Sequence, residues 1–208
     1  MSKKHSTTIE ILSNTQEILN TAEYGLHDLI KGSPERKLSG LRNLVVFGRA
    51  VTNVLQGLKS TEPTFDVWYQ KHVDEMESDP LMKYFYELRS LILKEGILKT
   101  SVHAHIKKLE LPHDMSRFGV PPPFAKGFFI GDQLGGTGWE VELPDGSKLK
   151  YYVELPSDIG SVSLHFPDPP KLHLGKDVDN NSIEKMSSLY IEYLRKMIQD
   201  AKIEFGRI

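Results

Sequence analysis

The chain has 208 residues, 39% hydrophobic and 26% charged, so it can bury a sizeable core as one large domain or two small ones. Twenty-six Lys and Arg against twenty-eight Asp and Glu leave a net charge of −2, and no global field draws it to nucleic acid or to an anionic membrane. The absence of cysteine excludes disulfides, thiolate zinc sites and a cysteine nucleophile, MSKKHSTTIEIL lacks the apolar core of a signal peptide, and no run approaches the ~18 apolar residues of a membrane span; a cytoplasmic location is expected.

Leu12, Leu19, Ala22, Leu26 and Leu29 predict a first helix from about Thr8 to Lys31, closed by Gly32. Ser33 and Pro34 supply an N-cap and a first-turn proline for the next helix, whose short connection makes the two antiparallel neighbours. Its stretch Leu38 to Leu58 is apolar around well over half of a helical wheel, the pattern of a central helix enclosed by others. Gly40, Gly48 and Gly57 lie in it although each costs a helix about 1 kcal/mol against alanine, which predicts close approach by neighbours. Arg42, Arg49, Asn53 and Gln56 fall within roughly 60° of one another and form one polar stripe. Thr64 is placed to cap a third helix bearing Phe65, Trp68, Tyr69, His72, Val73 and Met76, and Asp79-Pro80 opens a fourth that Gly96 ends.

Near residue 100 the apolar period changes. Val102, Ala104 and Ile106 alternate with His103, His105 and Lys107, as in a half-buried strand. A long loop, LPHDMSRFGVPPPFAKG, is stiffened by Pro121, Pro122 and Pro123, and loops of that length usually bind or cover something. Trp139 to Leu155 predicts a hairpin with Trp139, Val141 and Leu143 on one face and Leu149, Tyr151, Val153 and Leu155 returning on the same face, turned by Pro144-Asp145-Gly146-Ser147. Shorter strands are expected at 128–131, 162–166 and 172–174, giving a modest antiparallel sheet. A last helix, opened by a capping box of Asn181 and Glu184, carries Ile183, Met186, Tyr190, Tyr193, Leu194, Met197 and Ala201 in one stripe. That stripe must be buried on the bundle, on the sheet or on a second copy in a homodimer, and the bundle is favoured because it joins the two ends of the chain. The reading is α+β: a helical bundle at 1–98, an antiparallel β region at 99–176, and a helix at 177–208 that completes the bundle.

Four groups of residues are candidates for function. Arg42, Arg49 and Asn53 can hold a phosphate, guanidinium binding it through paired hydrogen bonds, or else form ion pairs with a neighbouring helix. His103 and His105 share a strand face about 7 Å apart and, with His113-Asp114, supply donors for a divalent ion. Gly131 to Gly138 is glycine-rich but lacks the lysine of a phosphate loop, so a hairpin loop is expected. Tyr152 with Lys148 and Lys150, and nearby Arg117, Phe118 and Pro122, interleave basic and aromatic groups as partner-binding or single-strand-binding surfaces do.

Arg42-Asn43 and Arg89-Ser90, each inside a Leu-Arg-x-Leu segment, resemble the first half of the motif of HEPN-like helical bundles, a family of RNases and inactive relatives, over roughly residues 8–96. The histidine that follows in that family is missing after both arginines. The resemblance therefore implies a non-catalytic member, or altered chemistry, acting on RNA through a cleft shared by Arg42, Asn43 and Arg89. No serine elbow or pair of acids marks an enzyme, and no cofactor is expected. The reading is a binding or regulatory module acting through protein contacts. An RNA-directed protein and a metal-dependent hydrolase at His103, His105 and His113 are the alternatives.

Overall fold

Two long helices, α1 (Thr8–Lys31) and α2 (Pro34–Leu55), run antiparallel and form the frame of one unit in the computed structural model. The model describes residues 6–206; residues 1–5, at the head of the segment read above for a signal peptide, lie outside them. Thr7 and Glu10 close a capping box at the start of α1, and the Gly32 N–H bonds to the Asp28 carbonyl at its end. Ser33 stands at the N-cap of α2 without a side-chain hydrogen bond, so the fixed φ of Pro34 is what opens that helix. α2 ends at Leu55 and tightens into a 3-10 turn, Gln56–Ser60, that buries Leu58.

The glycines explain how closely the helices meet. A Cβ on Gly40 would lie 2.7 Å from the Gly25 carbonyl oxygen, and one on Gly48 would lie 2.5 Å from the Tyr190 ring. Gly57 differs, its nearest neighbour being the flexible Ile11 side chain at 3.4 Å. α3 (Phe65–Ser78) buries only Phe65, stacked on Tyr69, while α4 (Pro80–Glu95) packs Leu81, Met82, Phe85 and Leu88 inward. Asp79 caps α4 by accepting from the Met82 N–H, and Gly96 ends it at φ +69°.

The other unit, Lys99–Pro167, is strand and loop apart from one 3-10 turn, His113–Phe118. β1 (Ser101–Ile106) pairs antiparallel with β5 (Gly160–His165), and β2 (Ala125–Ile130), β3 (Thr137–Glu142) and β4 (Lys148–Val153) form a separate antiparallel meander. The expected single sheet is thus split into a two-stranded ladder and a three-stranded meander, and its last predicted strand, 172–174, falls in the helical unit. The predicted hairpin forms and its apolar residues share a face, Trp139 standing opposite Tyr151 and Val141 opposite Leu149. Gly138 is required in it because a Cβ would lie 2.1 Å from the Tyr151 carbonyl oxygen. Phe118, Trp139 and Ile159 form the core, with Leu109, Met115, Phe128 and Val153 around them. β1 is more exposed than the half-buried strand expected, since only Val102 on it is even partly covered.

Back in the helical unit, a small hairpin of β6 (Leu172–His173) and β7 (Lys176–Asp177) leads to α5 (Ile183–Phe205). The cap of α5 is Ser182, which accepts from the Lys185 N–H, one residue beyond the predicted Asn181. The Asn180 side chain binds the Ser182 N–H and fixes that start. α5 lies against α1, α2 and α4, and Arg195 to Glu23 and Lys202 to Gln16 bond it to α1. The terminal helix completes its own bundle.

Candidate binding surface and cleft

The meander of β2, β3 and β4 has one apolar face, and the core covers only part of it. Trp139 and Val141 are buried there, yet their register partners Tyr151 and Leu149 are 55% and 53% exposed. At the same end of the sheet the Glu142 N–H bonds to the Phe124 carbonyl, and the Phe124 ring is 55% exposed. Phe124 has φ +65°, a left-handed conformation that costs a side-chain-bearing residue roughly 1–2 kcal/mol. The loop before it, entered through Gly119 at φ +78°, holds Val120 almost fully in solvent. Four large apolar side chains therefore stand exposed on a loop and an edge strand fixed by hydrogen bonds.

The residues expected to form this surface divide differently. Phe118 is 3% exposed and belongs to the core, tilted against Phe128 at 4.5 Å, so it is not a contact residue. The 3-10 turn His113–Phe118 carries it inward, a local helix that the loop reading did not anticipate. Arg117 is committed to Asp158 through two bonds of 2.8 and 2.7 Å, and the guanidinium pulls the Asp158 carboxyl down to about 2. Pro122 is half-buried, its carbonyl accepting from the Ala125 N–H. Tyr152 gives its hydroxyl to Asp132 at 2.8 Å, and Lys150 gives its ammonium to the same oxygen.

Asp132 organises the glycine-rich loop from within. Its other oxygen accepts from the N–H groups of Leu134 and Gly136 at 3.0 and 2.9 Å. Burial alone would raise its pKa; the Lys150 ammonium, the Gly136 N–H, the Tyr152 hydroxyl and the Leu134 N–H outweigh it and hold the carboxyl below the usual range. The basic and aromatic side chains of that sheet face are thus bound internally.

The histidines stay apart. His103 and His105 are exposed on β1, with His103 stacked on His165 at 4.2 Å, while His113 lies 3.4 Å from Asp114 and is open to solvent. Among the described residues no three His, Asp or Glu side chains are grouped as a metal ion requires.

In the helical unit the arginine stripe is also divided. Arg42 donates to the Gly96 carbonyl at 3.1 Å, placing a cation at the C-terminus of α4, where the helix dipole favours one. Asn43 and Asn53 are exposed, and Arg89 has no ion pair among the described residues. Arg49 lines a cleft of about 550 Å³ walled by α2, α3, α4 and α5, with neither Arg42 nor Arg89 in its lining. Its guanidinium lies 5.7 Å from the centre of the Tyr86 ring. Tyr190 closes the cleft floor, its ring stacked on Phe85 at 4.3 Å and nearly parallel. Burial raises the Tyr190 pKa, with Arg49 acting in the opposite sense.

A second cleft, of about 540 Å³, was not signalled by any motif. Asp79 accepts from His173 Nδ1 at 3.1 Å and from the Leu174 N–H at 2.6 Å, besides capping α4. The pair pins the β6–β7 hairpin to the α3–α4 junction. Nearby, burial holds the His72 pKa below its ordinary value against Asp200 and Glu75, and burial followed by Glu75 pushes the Tyr193 hydroxyl up.

A family model described as bacteriophage lambda protein ea47 matches residues 33–120. The stretch runs from the N-cap of α2 through α3 and α4 to Val120, so it contains three of the four walls of the Arg49 cleft and omits α5. No curated protein and no solved structure matches the chain. No described helix is long and apolar enough to cross a membrane.

Proposed function

We propose that the chain is a cytoplasmic binding module that acts through contact with another protein, using the open end of the β-meander. The observation that carries this reading is Phe124. Its backbone is held at positive φ while its ring stands in solvent, and strain of that kind, paid without any gain in burial, marks a residue kept for what its ring touches. Val120, Leu149 and Tyr151 add further exposed apolar side chains in the same unit, the kind of residue from which the centre of a protein interface is built.

The test places a photocrosslinking benzoylphenylalanine at position 124, or at the still more exposed Tyr24 of α1, in cells that carry the natural partners. One protein crosslinked from position 124 and not from Tyr24, and lost when Tyr151→Ser is added, is the expected result. Equal crosslinking from both positions, or none from 124, refutes it. A function on RNA through Arg42, Asn43 and Arg89 is the weaker reading, because Arg42 is engaged with Gly96. It predicts that Arg42→Ala and Arg89→Ala lower RNA affinity and flatten its salt dependence.

A further inference from the structure

We propose that the cleft beneath Arg49 binds a small organic anion with an apolar body, its carboxylate or phosphate seated between the Arg49 guanidinium and the Tyr190 hydroxyl. Four observations point there. The volume, about 550 Å³, is that of a small-molecule site. The floor is apolar, made by Met82, Leu194, Val73 and Met76. Two hydrogen-bond donors line it without a partner, Arg49, half-buried and without an ion pair among the described residues, and Tyr190, whereas the Thr52 hydroxyl is given to the Arg49 carbonyl. Lastly, Tyr190 is only 4% exposed, yet its hydroxyl has no hydrogen-bond partner among the described residues.

Within the cleft the Tyr190 hydroxyl and the half-buried Arg49 guanidinium both lack a hydrogen-bond or ion-pair partner among the described residues, so each is left to whatever enters the cleft. One anionic group between the two would satisfy both. The carboxylates that line the cleft, Glu77 and Glu87, are on its exposed rim with Lys83, so they do not fill that role. Carboxylate and phosphate share the chemistry that Arg49 recognises, and the aromatic walls, Tyr69 and Tyr86, suit a ring or a short aliphatic chain.

The experiment titrates the full chain with 4-phenylbutyrate, with its neutral counterpart 4-phenylbutan-1-ol and with phenyl phosphate, following the methionine methyl resonances by NMR. Met76 and Met82 line the cleft, whereas Met115 lies in the β unit and serves as an internal control. The expected result is movement of Met76 and Met82 but not Met115, with the acid bound at least about tenfold more tightly than the alcohol. A tighter fit of either anion supports the proposal and tells which head group the site prefers. Arg49→Met should bring the acid down to the affinity of the alcohol. Tyr190→Phe keeps the ring on Phe85 and should weaken the acid several-fold while leaving the alcohol unchanged. Equal affinity for acid and alcohol, shifts centred on Met115, no binding of either anion up to about 10 mM, or unchanged binding in a folded Arg49→Met variant would each overturn the proposal.

Discussion

Replacing Gly40 by alanine tests the helical frame directly, because two effects of opposite sign act at one position. Alanine in place of glycine stabilises a helix interior by about 1 kcal/mol. Against that, the added Cβ would lie 2.7 Å from the Gly25 oxygen, 2.8 Å from the Asp28 Cβ and 2.9 Å from the Leu29 nitrogen. Ordinary contact begins at 3.4 Å, so the shortfall at the Gly25 oxygen is 0.7 Å (3.4 less 2.7), and two of the three obstacles are backbone that cannot rotate away. α1 and α2 must separate along a seam where Ala22, Leu29, Leu41 and Leu44 are fully buried. A gap of that size forfeits a quarter to a half of the dispersion energy at each contact it opens, and overpacking of this kind costs up to about 3 kcal/mol. The net expectation is a loss of about 2 kcal/mol, a fall of roughly 4–8 °C in Tm for a chain of this length. Thermal melts followed by far-ultraviolet circular dichroism check it. Gly57→Ala is the control: its Cβ meets only the Ile11 side chain at 3.4 Å, so it should change stability by less than about 0.5 kcal/mol. A Gly40→Ala chain as stable as the parent would show that the helices do not meet as described.

Phe124→Gly relieves the positive φ and should leave stability within about 1 kcal/mol of the parent while abolishing crosslinking from the neighbouring Val120; a large loss of stability would mean the ring is structural. Asp79→Ala removes the α4 cap together with the partners of His173 and Leu174 N–H, and should cost about 2–4 kcal/mol in urea unfolding, with Asp79→Asn losing less than half as much. Asp132 has a folded pKa below its unfolded value, so its contribution is present above the unfolded pKa and is lost as pH falls through the folded one. Trp139 fluorescence in a Trp68→Phe chain should therefore show a steep loss of β-unit stability below about pH 4 that Asp132→Asn flattens; an unchanged acid limb would refute the assignment.

Most helix limits, the close packing at Gly40 and Gly48 and the shared apolar face of the hairpin were legible in sequence because each leaves a mark on residues close together in the chain. Gly32, Pro34, Asp79 and Gly96 mark helix ends through local hydrogen bonds and local φ. What the sequence did not reveal is coverage, which depends on residues distant in the chain. Period-two alternation placed Leu149 and Tyr151 on the apolar face of β4, and they are on it, but alternation gives the face and not what lies over it. The 3-10 turn carries Phe118 into the core with Trp139, while Leu149 and Tyr151 on the same face stay about half exposed. Tyr152, on the opposite face, reads as available until Asp132, twenty residues earlier, is seen to bind its hydroxyl. The same limit divides the arginine stripe. Arg42 and Arg49 share one face of α2 by angle alone, yet Arg42 meets a helix end and Arg49 a cleft with an unpaired tyrosine in it. Sequence spacing brings like residues to one face; what stands across from each of them decides whether it is structure or site.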